Sequence, residues 1–363
     1  MTRTSGKQGG HSWSRKRLAA MAFSLAALAL SGSAAGSPGA ASMHEARARA
    51  IAAGRFGDAL DLCGADSTRR IAVRIVEGGR QWLPPTRVFD NLFYVGNAFV
   101  GVWIVRTSAG LVLFDSLQSE GEARDHLLPD MRRLGLDPAT IRVVIVTHGH
   151  WDHYGGARYL HETFGAKIAM SAADWTMLEG AAPGAIERAP SVGPDRRDRP
   201  PPKREMVIAD GRKLVLGDTT LRLYVTPGHT RGTISAIIPV RENGHAWRLT
   251  LLGGTAFPPA REGNAHFGGL TAFDRSVRRL IALSRAAHSA GTLNTHIFAD
   301  GSDARLAALA TRQPGAPNPF IVGPDQVRDY YRVFDQCLLA ASERSPAHAA
   351  QWDARPPGAI RVR

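Results

Sequence analysis

From Arg87 onward, the apolar residues of this chain come in short blocks rich in β-branched and aromatic types. The first three are Leu92-Phe93-Tyr94-Val95, Gly101-Val102-Trp103-Ile104-Val105 and Gly110-Leu111-Val112-Leu113-Phe114. Blocks of this kind, separated by Gly and Asn, predict strands joined by hairpins. Glu120–Leu134 then predicts a helix, Ile141–Val146 a buried strand and Gly155–Phe164 another helix. The second half repeats the mixture. Strands are expected near 205–209, 213–216, 219–226, 232–239 and 247–253, then a helix near 273–289, a strand at 292–296 and helices near 302–311 and 324–343. Upstream, the Ala- and Arg-rich residues 43–63 predict a helix, preceded by a small-residue linker from Ser37 to Ser42. Two runs of strands, each with helices, fit an α/β fold of two sheets covered by helices on both outer faces. Gly180–Arg204, rich in Pro, Gly and Arg, predicts the longest loop, placed either as the rim of a site or as a solvated insertion.

Composition narrows the function class. The chain has 363 residues, of which 44% are hydrophobic and 21% charged, an ordinary balance for a soluble globular protein. Collagen-like, wholly disordered and polytopic membrane proteins are excluded. Two cysteines are too few for a disulfide-rich miniprotein or a cysteine-based zinc module. The net charge of +13 raises the question of nucleic acid. Its basic residues, however, are mostly scattered arginines without the interleaved aromatics of a base-stacking surface, and the one dense run, Arg196–Arg204, is broken by prolines. No nucleic-acid partner is expected, and the partner is a small-molecule substrate.

The N-terminus predicts export. Arg15-Lys16-Arg17 precedes a mostly apolar segment, Leu18–Leu30, that is shorter than the roughly 20 residues a membrane-spanning helix needs. Ser33-Ala34-Ala35 then fits a cleavage site. Residues 1–35 therefore predict a signal peptide, with an uncleaved anchor as the alternative, and the mature protein is expected in the periplasm or outside the cell, without stable membrane insertion. In an oxidising compartment, Cys63 and Cys337, each placed in a predicted terminal helix, predict one disulfide tying the two ends together. Two separate buried thiols are the alternative.

The chemistry concentrates in Val146-Thr147-His148-Gly149-His150-Trp151-Asp152-His153-Tyr154-Gly155-Gly156, between a predicted strand and a predicted helix. Residues two apart in an extended loop face one way, so His148 and His150 can share one ion, and Asp152 and His153 can face a second. Imidazole and carboxylate together suit zinc. His229, in Thr226-Pro227-Gly228-His229-Thr230-Arg231-Gly232, and His296, after Leu293-Asn294-Thr295, lie in comparable turns. Histidines 11, 44, 126, 161, 245, 266, 288 and 348 lack such a context and read as surface or local structural residues, with His266 in a glycine-flanked loop.

From about residue 87 to about residue 302 the chain resembles the metallo-β-lactamase superfamily. The H-x-H-x-D-H motif, Gly155-Gly156, the T-P-G-H-T turn and Asp115 closing Val112-Leu113-Phe114-Asp115 occur in the family's order. The resemblance implies a four-layer αββα sandwich, and the predicted terminal helices add N- and C-terminal helical extensions outside the shared core. The expected divisions are a linker and helical extension at 36–86, the core at 87–302 and a C-terminal extension at 303–363. Many superfamily hydrolases carry an aspartate that bridges two metals, but Gly254 occupies that place here, and the true β-lactamases likewise lack the bridging carboxylate. The third β-lactamase subclass implies His148, His150 and His229 on one Zn2+ and Asp152, His153 and His296 on a second, two per chain. Its activity would be β-lactam hydrolysis by metal-activated hydroxide, with Asp152 ligating and orienting. Asp115, Trp151, Tyr154 and Asn294 are candidates to support the ligands or line the pocket, with simple packing or turn-capping as the alternative. Arg231 replaces a proline common after the T-P-G-H-T turn. Another ester, lactone or amide substrate on the same site, and a non-catalytic metal-binding scaffold, remain alternatives.

Overall fold

In the second apolar block, Val102 and Ile104 point to one side of their strand and Trp103 and Val105 to the other, and all four are buried. A strand buried on both faces needs packing partners on both, which is why these blocks read as near-continuous apolar runs. The computed structural model supplies those partners. It describes residues 38–180, 200–257 and 268–344. The predicted signal peptide, most of the Pro-rich loop, His11, His266 and His348 lie outside the described residues.

The chain opens with helices α1 (Pro38–Ala52), α2 (Gly57–Leu60) and α3 (Ser67–Gly78). Strands β1 (Thr86–Arg87), β2 (Leu92–Gly96), β3 (Gly101–Thr107) and β4 (Gly110–Phe114) form an antiparallel meander. Helices α4 (Glu120–Glu122) and α5 (Leu128–Arg133) follow, joined by a wider π turn over Ala123–Leu127. Strand β5 (Ile141–Ile145), helices α6 (Trp151–Tyr154) and α7 (Ala157–Phe164), strand β6 (Lys167–Ser171), helix α8 (Ala172–Glu179) and strand β7 (Met206–Ile208) complete a seven-stranded sheet, parallel from β4 to β7. Strands β8 (Arg212–Leu216), β9 (Thr219–Val225), β10 (Ile234–Glu242) and β11 (His245–Leu252) form an antiparallel second sheet. Helix α9 (Leu270–Ala286) leads to β12 (Gly291–Asn294), which adds to β11 in parallel. Helices α10 (Ser302–Ala310) and α11 (Pro324–Glu343) close the described chain.

Three apolar clusters define the layers. Trp103, Phe114, Leu223, Ile238 and Leu251 fill the space between the sheets. Phe93, Ile104, Leu127, Leu160 and Trp175 join the first sheet to its outer helices. Leu252, Phe273, Val277, Tyr331 and Phe334 join the second sheet to α9 and α11. The result is the expected αββα sandwich with helical extensions. Among the described residues, no helix is long and apolar enough to cross a membrane.

The N-terminal reading needs correction. The helix expected over 43–63 is two helices, because the chain turns at Ala53 and Gly54, which adopt positive φ values of 46° and 81°. Part of the expected linker is already helical from Pro38, and Cys63 lies in a turn after α2 rather than in a helix. Strands β1 and β6 and helix α8 were not expected. The two cysteines do join: Cys63 and Cys337 form a disulfide across 274 residues of sequence. Arg344 reinforces the same junction, pairing with Glu45 and donating to the Cys63 carbonyl.

Between α9 and α11, Arg278 Nε donates to Asp274 at 3.0 Å and to Asp335 at 3.1 Å. Burial, together with the adjacent Asp335 carboxyl, pushes the Asp274 carboxyl up to about 7. A carboxyl with a raised folded pKa binds its proton more tightly in the native state. Its contribution to stability is therefore present at low pH and declines as pH rises from about 4 to about 7. Asp274→Asn should gain stability relative to the parent protein across that window; denaturation curves whose difference stays constant with pH would refute this. Replacing both cysteines with serine should cost about 2–5 kcal/mol and lower the melting temperature, and reductant should then have no further effect on the variant.

Candidate metal centre

The site forms at one edge of the sandwich, where β5, β9, β11 and β12 end. Thr147, just past β5, accepts a hydrogen bond through its backbone carbonyl from Ile234 N of β10 at 2.7 Å, which ties the two sheets together there. Past β4 the chain turns at Asp115, which holds a left-handed φ of 68°, uncommon for a residue other than glycine. That turn buries its carboxylate completely. Asp115 then accepts from Thr147 N at 2.7 Å, Thr147 Oγ1 at 2.9 Å and His153 Nδ1 at 2.6 Å. One side chain thus fixes the loop carrying His148 and His150 and orients the ring of His153.

The structure gathers two groups of donors. His148, His150 and His229 form one, and Asp152, His153 and His296 form the other; within each group the donor atoms lie within 4.8 Å of one another. The groups adjoin, with the rings of His148 and His153 centred 3.9 Å apart. Four of the five imidazoles present Nδ1 to a fixed acceptor. His148 Nδ1 donates to Gly253 O at 2.8 Å, His229 Nδ1 to Ala256 O at 2.6 Å, His296 Nδ1 to Phe99 O at 3.0 Å and His153 Nδ1 to Asp115. Fixing the proton on Nδ1 leaves Nε2 to bind a metal.

The remaining nitrogens fit a cation. His148 Nε2 is buried and has no hydrogen-bond partner. His153 Nε2 and His296 Nε2 face each other at 3.1 Å although both rings already commit Nδ1 to acceptors, so two lone pairs converge unless a proton or a metal lies between them. His229 Nε2 approaches His150 Nδ1 at 3.0 Å. Five imidazoles and one carboxylate are a donor set suited to zinc.

Electrostatics agrees with this arrangement. Burial holds the His148 and His229 rings well below the usual histidine range, helped by neighbouring histidines, and lowers His296 to about 4. These rings stay neutral and ready to ligate at neutral pH. Burial opposes charge on His153 as well, but Asp152 and Asp115 outweigh it and push that ring up to about 10. Burial likewise opposes ionisation of Asp152, yet His153 and His296 hold its carboxyl well below the usual carboxylate range.

The remaining sequence candidates separate. Asn294 is buried and accepts from His296 N and Thr255 Oγ1, each at 2.8 Å, so it supports the His296 turn rather than lining a cavity. Tyr154 is fully buried in the apolar cluster outside the first sheet, and Trp151 packs against that cluster. Arg231 is exposed, and its turn is held instead by Gly228 N donating to Thr230 O at 2.8 Å and Thr230 N donating to Thr233 Oγ1 at 3.0 Å. Sequence reasoning missed Thr147 and the carbonyls of Phe99, Gly253 and Ala256. It missed Asp174 as well, because neither β6 nor α8, which carry it into place, was expected from the sequence.

Gly254 has a steric reason to be glycine. A Cβ there would lie 2.5 Å from His229 Cβ and 2.9 Å from its Cγ. The position that carries a bridging aspartate in many related hydrolases has no room for any side chain while His229 keeps its place.

Comparison with known proteins follows the same line. The metallo-beta-lactamase superfamily model matches residues 96–242. An uncharacterized protein of Mycobacterium leprae is 34% identical over 106 residues, covering 29% of this chain and 49% of that one. A hydroxyacylglutathione hydrolase of Acidiphilium cryptum is 33% identical over 92 residues, covering 25% of this chain and 28% of that one. The match spans about half the length, or less, of these curated relatives. Among solved structures, BJP-1, a subclass B3 metallo-beta-lactamase of Bradyrhizobium japonicum, superposes with a TM-score of 0.58 at 27% identity, covering 71% of this chain and 92% of that one.

Gly254→Ala should displace His229 and lower zinc uptake relative to the parent protein, since the three-histidine group then loses one of its donors. Elemental analysis after dialysis measures it; full occupancy in a folded variant would show that the site yields without losing its ligand.

Proposed function

The chain belongs to the metallo-β-lactamase superfamily, and from that premise we propose that it is an exported zinc hydrolase that opens β-lactam rings. The observation that carries this reading is the donor set: three histidines beside an aspartate and two histidines, with no room for a bridging carboxylate at Gly254. That is the ligand pattern implied by the third β-lactamase subclass, and it departs from the aspartate-bridged hydrolases. The Cys63–Cys337 disulfide supports export, since such bonds persist in oxidising compartments.

His148, His150 and His229 would hold one zinc, and Asp152, His153 and His296 the other. Zinc there would supply Lewis-acid polarisation of a carbonyl and lower the pKa of water to about 7. The protein's own groups do the positioning. Asp152 brings the one ionised carboxylate among the six donors. Asp115 keeps the His153 ring oriented through Nδ1. No serine or cysteine nucleophile is required.

A second reading keeps the site but assigns it a thioester or another ester. The sequence match to a hydroxyacylglutathione hydrolase favours it, although that match covers only a quarter of the chain.

Zinc-loaded protein should hydrolyse a chromogenic cephalosporin with kcat/KM of about 10⁴ M⁻¹s⁻¹ or more. Chelator should abolish that turnover, and so should Asp152→Ala in a folded variant. Two bound zincs without cephalosporin turnover would exclude the β-lactam reading and move the assay to thioesters and other esters.

A further inference from the structure

Helix α8 was not expected from the sequence, and it carries a buried carboxylate outside both donor groups. Asp174 is fully buried. The helix start is fixed by Ser171 Oγ, which accepts from Asp174 N at 3.2 Å. Asp174 Oδ2 accepts from Gly149 N at 2.9 Å and from Thr230 Oγ1 at 2.8 Å. The other oxygen, Oδ1, is buried without a hydrogen-bond partner, and Gly232 packs so closely that a Cβ there would lie 2.6 Å from it.

The partners matter more than their number. Gly149 is the residue between His148 and His150, and Thr230 follows His229. One carboxylate therefore grips both loops that supply the three-histidine group, at the residues adjoining the ligands. Among the described residues no cation pairs with Asp174, and its hydrogen-bond donors are neutral. Burying a carboxylate on neutral donors alone is costly. A divalent ion held by three neutral histidines just across these loops would supply the missing positive charge.

We propose that Asp174 is the positioning residue of the three-histidine site, clamping the His148–His150 loop to the His229 turn so that the three imidazoles converge on one metal. This rests on the reading that the three histidines bind metal, and the test separates the two. The helix end of the clamp is α8, and the loop ends are one amide and one hydroxyl, of which the hydroxyl link can be cut by itself.

The experiment is zinc uptake by the full chain in competition with a chromogenic chelator, paired with thermal melting of the metal-free protein. The variants are Asp174→Asn, Asp174→Ala and Thr230→Val. Ser171→Ala is the control, since it removes the helix cap and cuts neither Asp174 bond, to Gly149 N or to Thr230 Oγ1. The parent protein should take up two zincs. Asp174→Asn and Asp174→Ala should weaken one of the two by about 10–100-fold and leave the other unchanged. Thr230→Val should weaken the same one by less, and cobalt-substituted protein should show the change in its visible absorption. Ser171→Ala should lower the melting temperature with both affinities intact. Two unchanged affinities in the Asp174 variants, or in Thr230→Val should the former not fold, would overturn the proposal and leave Asp174 a helix-packing residue. If the parent protein takes up no zinc, the metal reading itself falls, and the clamp with it.

Discussion

Everything at the site depends on where four imidazole protons go. Histidine offers two nitrogens, and a ligand site needs the bare one to be chosen in advance. Here the choice is made by hydrogen bonds from Nδ1 to Gly253 O, Ala256 O, Phe99 O and the Asp115 carboxylate. Each acceptor lies on a different segment from the ring it orients, and two of the four bonds, His148 to Gly253 O and His296 to Phe99 O, cross from one sheet to the other, so those two tautomers are set only when both sheets are assembled. The site is a product of the tertiary fold rather than of any one loop.

The sandwich meets that demand by ending several strands at the same edge. Ile234 N reaches across to Thr147 O, Trp103 Nε1 donates to Asn294 O at 2.8 Å, and Gly101 N donates to Thr295 O at 3.0 Å. These bonds bring the loops of one sheet into register with those of the other. Behind the second sheet, Phe257, one residue past the carbonyl that orients His229, packs edge-on against Phe273 of α9 and Phe334 of α11. The terminal extensions are thereby joined by packing to the neighbourhood of the site, and the disulfide holds them to each other.

Much of this was legible in the sequence. The strand blocks were visible because strands buried on both faces leave little room for polar letters. The donor groups were visible because four of the six donors crowd into His148–His153, and the other two sit in glycine-rich or polar turns after apolar segments. Backbone acceptors left no trace, since a carbonyl has no letter of its own. Trp151 and Tyr154 stood beside ligands in sequence, but the short helix that begins at Trp151 turns them toward the outer apolar cluster. The break between α1 and α2 was marked only by Gly54, and β6 is a short strand whose first residue is the exposed Lys167. Asp174 reads as an ordinary helix-start acid until the fold brings Gly149 and Thr230 against it.

Three of the four acceptors that orient the imidazoles belong to the main chain and one to a side chain. A substitution at Phe99, Gly253 or Ala256 can move a carbonyl but cannot delete it. Only at Asp115 does a single codon change erase an acceptor outright. Heritable loss of an acceptor is therefore confined to one position, while the other three acceptors are passed on with the peptide bond itself.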